Sequence, residues 1–263
     1  MGLDHHSKPE IMFQQQLDNA RQYVVPFIQQ VKRDIKNLKV LEVGAGEGGV
    51  LCAFAELGSD CVGLELADWR VERGKGYAKD FISQYKLNLR IGNFYDEQIQ
   101  KEFVGQFDVI ILKDVIEHLP NQESVMKTLK QFLKKDGIIF FGFPPWFMPF
   151  GGHQQVAKGK FGKMPYYHIL PKGIYKFVLK NILQQSEITI KELLEVHDTQ
   201  ISINRFEHCV EQAGMKIIKR ELFLINPIYR YKFGLKPLKQ IPILKSIPYI
   251  RDFFTTCCYY ITG

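Results

Sequence analysis

The chain has 263 residues, 46% of them hydrophobic, and a net charge of +7; this is material for one large domain with a real core and excludes an unfolded chain. No run of about 18 uncharged apolar residues occurs, so no spanning helix is expected. The N-terminus MGLDHHSKPE lacks the charged-then-apolar order of a secretory leader, and five scattered or adjacent cysteines without CxxC spacing offer neither a zinc site nor a disulfide framework, so a cytoplasmic protein is expected.

Residues 1–35, with FQQQLDNARQYVVPFIQQV, predict a helical segment ahead of a sheet. From 36 to 143 short apolar runs alternate with helix-length amphipathic stretches, the pattern of a parallel α/β sheet covered on both faces. Strands are predicted at KVLEVG (39–44), CVGLEL (61–66), LNLRIGN (87–93), FDVIILKD (107–114) and GIIFFGF (137–143), with helices at 49–57, 70–85 and 122–133. Residues 144–200 break the alternation with prolines, glycines and aromatics and read as a lid or insertion, with helical stretches near 172–184 and 189–197. From 201 to 263 a helix near 203–213 precedes two more strands, MKIIKRELFLI (215–225) and FTTCCYYIT (254–262), rich in β-branched and aromatic residues. Seven strands are expected in all.

VLEVGAGEGG places Gly44, Gly46 and Gly48 between the first strand and the first core helix. Such a turn lets backbone N–H groups approach a ligand closely, because glycine has no Cβ and tolerates positive φ. Gly44, Gly46 and Gly49 also satisfy the GxGxxG dinucleotide pattern, so the turn alone leaves a dehydrogenase open. Glu65, 21 residues after Gly44, is where nucleotide-binding folds hold ribose hydroxyls. Glu42, two residues before the first glycine, is not asked for by a dinucleotide fingerprint and suits a cationic ligand.

With LEVGAGEGG, GLEL, IGNFYD, FDVIILKDVIEHLP and LKKDGIIFF in this order, the chain resembles the class I S-adenosylmethionine-dependent methyltransferases over about 36–143. The resemblance implies a Rossmann-like α/β fold: a mostly parallel seven-stranded sheet with an antiparallel last strand, helices on both faces, and lid insertions after strands five and six. It implies S-adenosyl-L-methionine as cofactor, with Glu42, Gly44, Ala45 and Gly46 around its methionine part and Glu65 at the ribose beside Leu66. Asn93 and Phe94 would meet the adenine, and Lys113 and Asp114 the methyl donor. The family often has Asp where this chain has Asn93, whose amide oxygen still accepts a hydrogen bond but carries no charge.

A hydroxyl acceptor needs a general base, so histidines and acids near the strand ends are informative. Ligands in open α/β sheets lie outside the carboxyl ends of the strands, and the segment PPWFMPFGGHQ leaves the fifth strand on that side. His153 is therefore the first candidate for an acid/base or substrate-orienting role, with Asp114 as a second catalytic candidate. Trp146, Phe150, His153 and His168 are candidates for the acceptor wall. Glu117 and His118 are metal-ligand types, but they sit in one short stretch with no partner pair, so a structural hydrogen bond and no metal is expected there.

Between Lys219 and Arg251 stand eight Lys or Arg and one acid, Glu221, interrupted by Pro227, Pro237, Pro242 and Pro248. Residues 226–252 read as a basic insertion over or beside the pocket mouth, where Tyr229 and Arg230 would help admit an anionic or lipid-linked acceptor and the segment would touch a membrane surface. A solvated face is the plainer reading of the same charge. FPPW differs from the motif of DNA-adenine methyltransferases: Phe143 stands where those carry Asp, Asn or Ser, and the motif follows the fifth strand rather than the fourth.

The expected function is methyl transfer to a small-molecule or glycan acceptor, O-methylation in preference to N- or C-methylation. A non-catalytic cofactor-binding module and an RNA methyltransferase are the alternatives, although no RNA-binding module is visible and nucleic acid is not expected as a partner. A monomer or homodimer fits the sequence.

Overall fold

Five apolar runs too short for helices, each followed by a longer amphipathic stretch, can bury themselves only as parallel strands between helical layers. The computed structural model describes residues 8–159 and 161–263; His5 and His6 lie outside them. In chain order the elements are α1 (Pro9–Asn19), α2 (Val25–Gln29), β1 (Lys39–Val43), α3 (Gly49–Ala55), β2 (Asp60–Glu65), α4 (Asp68–Tyr77), α5 (Lys79–Gln84), β3 (Leu87–Ile91), α6 (Glu97–Phe103), β4 (Phe107–Lys113), α7 (Gln122–Phe132) and β5 (Leu133–Phe143). Next come α8 (Lys172–Phe177), α9 (Glu187–Thr199), α10 (Ile203–Gln212), β6 (Ile217–Ile225), α11 (Tyr229–Phe233), β7 (Leu238–Lys239), α12 (Pro242–Lys245), α13 (Ile250–Phe253) and β8 (Cys257–Thr262).

The sheet order is β3-β2-β1-β4-β5-β8-β6-β7. β1 to β5 are parallel; β8 runs antiparallel between β5 and β6, and β7 pairs antiparallel with β6 at the edge. The order reverses between β1 and β4, and the carboxyl ends there open into a crevice where such sheets bind ligands. Because side chains alternate across a strand, Val109, Ile111 and Phe140 enter one core layer and Ile110, Leu112, Phe141 and Phe143 the other. The first layer is closed by α1, α2 and α3, the second by α7 and α10. Ala157, Tyr175, Leu179, Ile190 and Leu193 make a separate small core beneath the segment after β5.

The expected α/β sheet is present, with the antiparallel last strand, but it has eight strands rather than seven. The addition is the two-residue β7, too short to carry a periodic pattern and formed only because β6 offers it an edge. The single helix expected over 70–85 is divided at Ala78 into α4 and α5. Gly74 lies so close to the glycine-rich loop that an added Cβ would stand 2.7 Å from the carbonyl oxygen of Glu47, and Gly74 and Gly76 weaken a continuous helix. A π-helical turn, Ala20–Val24, precedes Pro26; the proline has no N–H, and the wider turn accommodates the missing hydrogen bond.

The C-terminal insertion is tied to the sheet by one partly buried network. Arg251 donates from Nη2 to Asn204 Oδ1 and Glu207 Oε2, each at 2.6 Å, and Glu207 accepts from Tyr260 Oη at 2.8 Å and Arg220 Nη1 at 2.7 Å. Removing the cation from such a cluster leaves a partly buried carboxylate short of its partner. Arg251→Ala is expected to lower unfolding stability by about 1–3 kcal/mol, since Arg220 and Tyr260 still partner Glu207, read as a lower urea midpoint at an unchanged slope.

Candidate active site

β1 must turn sharply to enter α3, and the turn uses residues that tolerate left-handed backbone. Gly44 has φ of 69° and Gly46 56°. A Cβ on Gly44 would lie 2.6 Å from the Val115 side chain, and one on Gly46 would lie 2.6 Å from the Arg70 guanidinium. The N–H groups of Gly44 and Ala45 donate to the Leu64 carbonyl at 2.8 and 3.1 Å, which fastens the turn to the end of β2. Glu65, the last residue of β2, then accepts Gly46 N–H on Oε2 at 2.9 Å and the N–H groups of Leu66 and Ala67 on Oε1 at 2.9 and 3.1 Å. One carboxylate thus fixes two loops.

Two cavities flank this clamp and share Gly44. One, of about 140 Å³, is walled by Leu64, Leu66, Phe94, Val115 and Leu119, with Glu65 and Asn93 as its polar members. The other, of about 120 Å³, is polar and holds Glu42, Ala45, Gly46, Arg70, Lys113 and Asp114, with Met12, Phe13 and Gln16 of α1 closing it. Asn93 Oδ1 accepts the Tyr95 N–H at 3.0 Å, so the amide at the expected adenine position also builds its own turn. The Phe94 and Tyr95 rings are 4.1 Å apart.

Charge in the polar cavity is unevenly satisfied. Lys113 Nζ donates to Asp114 Oδ2 at 2.6 Å. Burial pushes the Asp114 carboxyl up, but the Lys113 ammonium more than offsets this and holds it below its ordinary value. Burial likewise works against the Lys113 charge, and the Asp114 and Glu42 carboxylates raise it. Glu42 is 3% exposed, its Oε2 has no partner, and burial pushes its carboxyl up to about 8 despite Lys113. Gln16 Oε1 is a second buried acceptor without a partner. Arg70 pairs with Glu47 at 3.1 Å and lies 3.8 Å from Glu65.

This arrangement fits S-adenosyl-L-methionine. The apolar cavity suits the adenine, the Glu65 carboxylate retains lone pairs for ribose hydroxyls, and the unpartnered oxygens of Glu42 and Gln16 with the Arg70 cation suit an amino-acid zwitterion. Gln16 and Arg70 escaped the sequence reading: each sits on a helix whose spacing carries only amphipathic information, and tertiary packing alone brings them to the loop.

Beyond Lys113, the backbone takes a left-handed step at Asp114, φ 56°, into the short turn Ile116–His118. Glu117 is 1% exposed with neither carboxylate oxygen partnered, and His153 Nε2 stands 3.8 Å from its Oε1. The rings of His118 and His153 meet edge to face at 4.7 Å. Burial, and then the Asp114 charge, hold the Glu117 carboxyl well above its ordinary value. Burial first, then its neighbour His118, brings the His153 imidazole down to about 4, and burial also lowers His118.

The other acceptor-wall candidates do not join this cluster. Trp146 is buried against the rings of His168 and His197, and His168 places Nε2 2.8 Å from the Trp146 carbonyl oxygen. His168 fills the room left by Gly152, whose added Cβ would be 2.2 Å from the His168 Cβ. Trp146 and His168 thus brace the turn that carries His153, a correction that follows from their own mutual packing. Phe150 contributes its carbonyl, which accepts the His153 N–H at 2.9 Å. In the basic insertion Arg230 faces away, donating to Tyr23 Oη at 3.3 Å. Tyr229 is half-buried, and Lys232 is the insertion's cation near Asp114 and His153.

The Glu42 shift has a readable consequence. A carboxyl raised from 4.5 to about 8 keeps its proton in the folded chain after the unfolded chain has lost it, so ligand-free stability falls as pH rises through that window. Pairing with an ammonium requires the ionised form. Affinity for S-adenosylhomocysteine is therefore expected to rise between pH 6 and 8, by at most about tenfold per pH unit for one linked proton, and calorimetric titration should find a flattened profile in Glu42→Gln.

A model of the methyltransferase domain matches residues 14–154. Ubiquinone biosynthesis O-methyltransferase of Acinetobacter baumannii is 24% identical over 176 residues, 62% of this chain and 69% of that protein. The protein of the same name in Histophilus somni is 26% identical over 158 residues, 57% and 61% of the two chains. Among solved structures, the S-adenosylmethionine-dependent methyltransferase of Mesorhizobium loti aligns with a TM-score of 0.55 at 12% identity, over 94% of this chain and 99% of that one. Magnesium protoporphyrin IX methyltransferase of Synechocystis, with bound SAH, aligns with a TM-score of 0.51 at 12% identity, over 93% and 83%. The dehydrogenase and binding-only readings fall away: the chain belongs to the methyltransferase-domain family and is a class I enzyme dependent on S-adenosyl-L-methionine.

Proposed function

We propose that this enzyme methylates a hydroxyl oxygen on a small-molecule or glycan acceptor that is lipid-linked and reached at a membrane surface. The observation that carries O-methylation is the His118–His153 pair at the carboxyl edge of β4 and β5, beside the cofactor cleft. A hydroxyl must shed its proton as it is methylated, whereas a neutral amine need not, and a neutral imidazole beside the cleft offers a ring nitrogen to receive it. The ubiquinone-biosynthesis relatives, named as O-methyltransferases, support the same class of acceptor.

In this reading Glu42, Gln16 and Arg70, with Gly44, Ala45 and Gly46, hold the amino-acid end of the cofactor, Glu65 the ribose beside Leu66, and Asn93 and Phe94 the adenine. Bound there, S-adenosyl-L-methionine supplies an electrophilic methyl group on sulfur. The Lys113–Asp114 pair fixes the charge at the end of β4, and the acceptor hydroxyl gives up its proton beside His118 and His153. Residues 36–143 form the cofactor unit, 144–200 the acceptor lid and 201–263 the completion of the sheet.

The membrane contact rests on the exposed side chains of the insertion. Ile243 is 76% and Tyr249 66% exposed, and Leu238 and Ile241 stand out beside the exposed Lys236 and Lys239, the latter paired with Glu221, which also holds Lys245. Apolar side chains interleaved with lysines suit an anionic lipid interface. Among the described residues no helix is long and apolar enough to cross a membrane.

Two measurements test these assignments. His153→Ala should lower kcat for a phenolic acceptor by ~100-fold or more with S-adenosylhomocysteine affinity unchanged; an unaltered kcat would remove His153 from the reaction. Ile243→Glu with Tyr249→Glu should abolish sedimentation with phosphatidylserine-containing vesicles while leaving the urea midpoint in place, and equal sedimentation would return the insertion to a solvated face.

A further inference from the structure

We infer that Glu117, His118 and His153 form a binding site for a divalent transition-metal cation of the Zn²⁺ or Mn²⁺ type. One potential ligand atom from each of the three lies within 4.8 Å of the others. One carboxylate and two imidazoles are a donor set such cations accept. Cation bonds of about 2.0–2.2 Å to N and O place tetrahedral ligands roughly 3.3 Å apart. The 3.8 Å from His153 Nε2 to Glu117 Oε1 therefore has to close by about half an ångström.

An independent observation points to the same ligand. Glu117 is buried at 1% exposure, neither of its carboxylate oxygens has a hydrogen-bond donor, and Oε1 faces His153 Nε2 at 3.8 Å. A buried carboxylate without a partner is costly, and native structures seldom leave one so. Its neighbours do not relieve it: the nearby Lys113 ammonium is bonded to Asp114 at 2.6 Å, and the Thr199 hydroxyl donates to the Glu117 carbonyl rather than to its side chain. A cation between Glu117 and the two imidazoles supplies the missing partner.

The backbone also delivers the third ligand. His153 has φ of 57°, a conformation uncommon in a residue with a Cβ, and it follows Gly151 and Gly152, which pack against the Trp146 carbonyl and His168. Strain of this kind persists where the surrounding structure imposes it, often at functional positions. His118 is exposed, so the three protein ligands leave coordination positions open on the solvent side, as catalytic sites do. With the cation bound, the ring nitrogens that hold it no longer accept a proton, and an acceptor hydroxyl bound to the cation would release its proton to water instead. That consequence rests on the O-methylation reading; the cation site does not.

The test uses the full chain with His5 and His6 both replaced by Ala, to remove a competing histidine pair, stripped with EDTA and titrated with ZnCl₂ and MnCl₂ by calorimetry. The expected result is one equivalent bound, with a rise in melting temperature. His118→Ala, at an exposed position, and Glu117→Gln should each weaken binding by more than the ~100-fold that loss of an outer partner costs, while His208→Ala, at an exposed histidine elsewhere, leaves it unchanged. Absence of binding at 100 µM metal in folded protein, or equal binding in the His118→Ala and His208→Ala proteins, would overturn the site. Loss of methyl transfer on chelation, restored by metal, extends it to catalysis. Stoichiometric binding in a protein that methylates no hydroxyl would sink the acceptor reading and leave the cation site standing.

Discussion

The Glu65 carboxylate accepting three backbone N–H groups is the interaction on which the cofactor site depends. Parallel strands that end together leave their last backbone groups without ladder partners, and the loops that follow must satisfy them elsewhere. One charged acceptor at the end of β2 meets that need for both the glycine-rich turn and the loop entering α4. Charge-assisted hydrogen bonds are stronger than neutral ones, so the loop geometry is set before any ligand arrives. The cost is that the group best placed for a ribose is also structural, and changing it alters binding and loop together.

A second constraint is the scarcity of countercharge at the end of β4. Lys113 is buried beside two carboxyls, Asp114 and Glu42, and bonds only the first. Glu42 is left to carry a proton or find a cation, a preorganised preference for a ligand with a positive end. Three residues after Asp114, Glu117 repeats the situation with no cation bonded to it, and there the neighbours are imidazoles. The carboxyl ends of β1 and β4 thus concentrate unsatisfied acceptors just where the topology opens the sheet.

The segment after β5 shows how a lid places a reactive group. It has its own small apolar core, so it is positioned as a packed unit rather than as a free loop. Trp146 and His168 spend their rings inside that unit, and Gly151 and Gly152 permit the close approach that leaves a half-buried His153 facing Glu117. The aromatic richness of FPPWFMPFGGHQ is mostly structural.

Strand positions and the glycine-rich turn were legible in the sequence, because period-two apolar patterning, β-branched runs and positive-φ glycines are local properties of the chain, while the antiparallel close of the sheet was implied by the family resemblance. Glu42 and Glu65 were legible from their distance to the glycine-rich turn, and the Lys113–Asp114 pair from the family resemblance. The two-residue β7 and the break at Ala78 were not, since one needs a neighbouring edge and the other follows from Gly74 pressing against Glu47. Nor were the meeting of Gln16 with Arg70 at the polar cavity and that of Glu117 with His153, because spacings of tens of residues carry no phase relation. The sequence by itself determined which strand ends carry acid and glycine; only the tertiary structure decided which distant side chains face them, because three-dimensional packing, and not periodicity, sets the distances between separate elements.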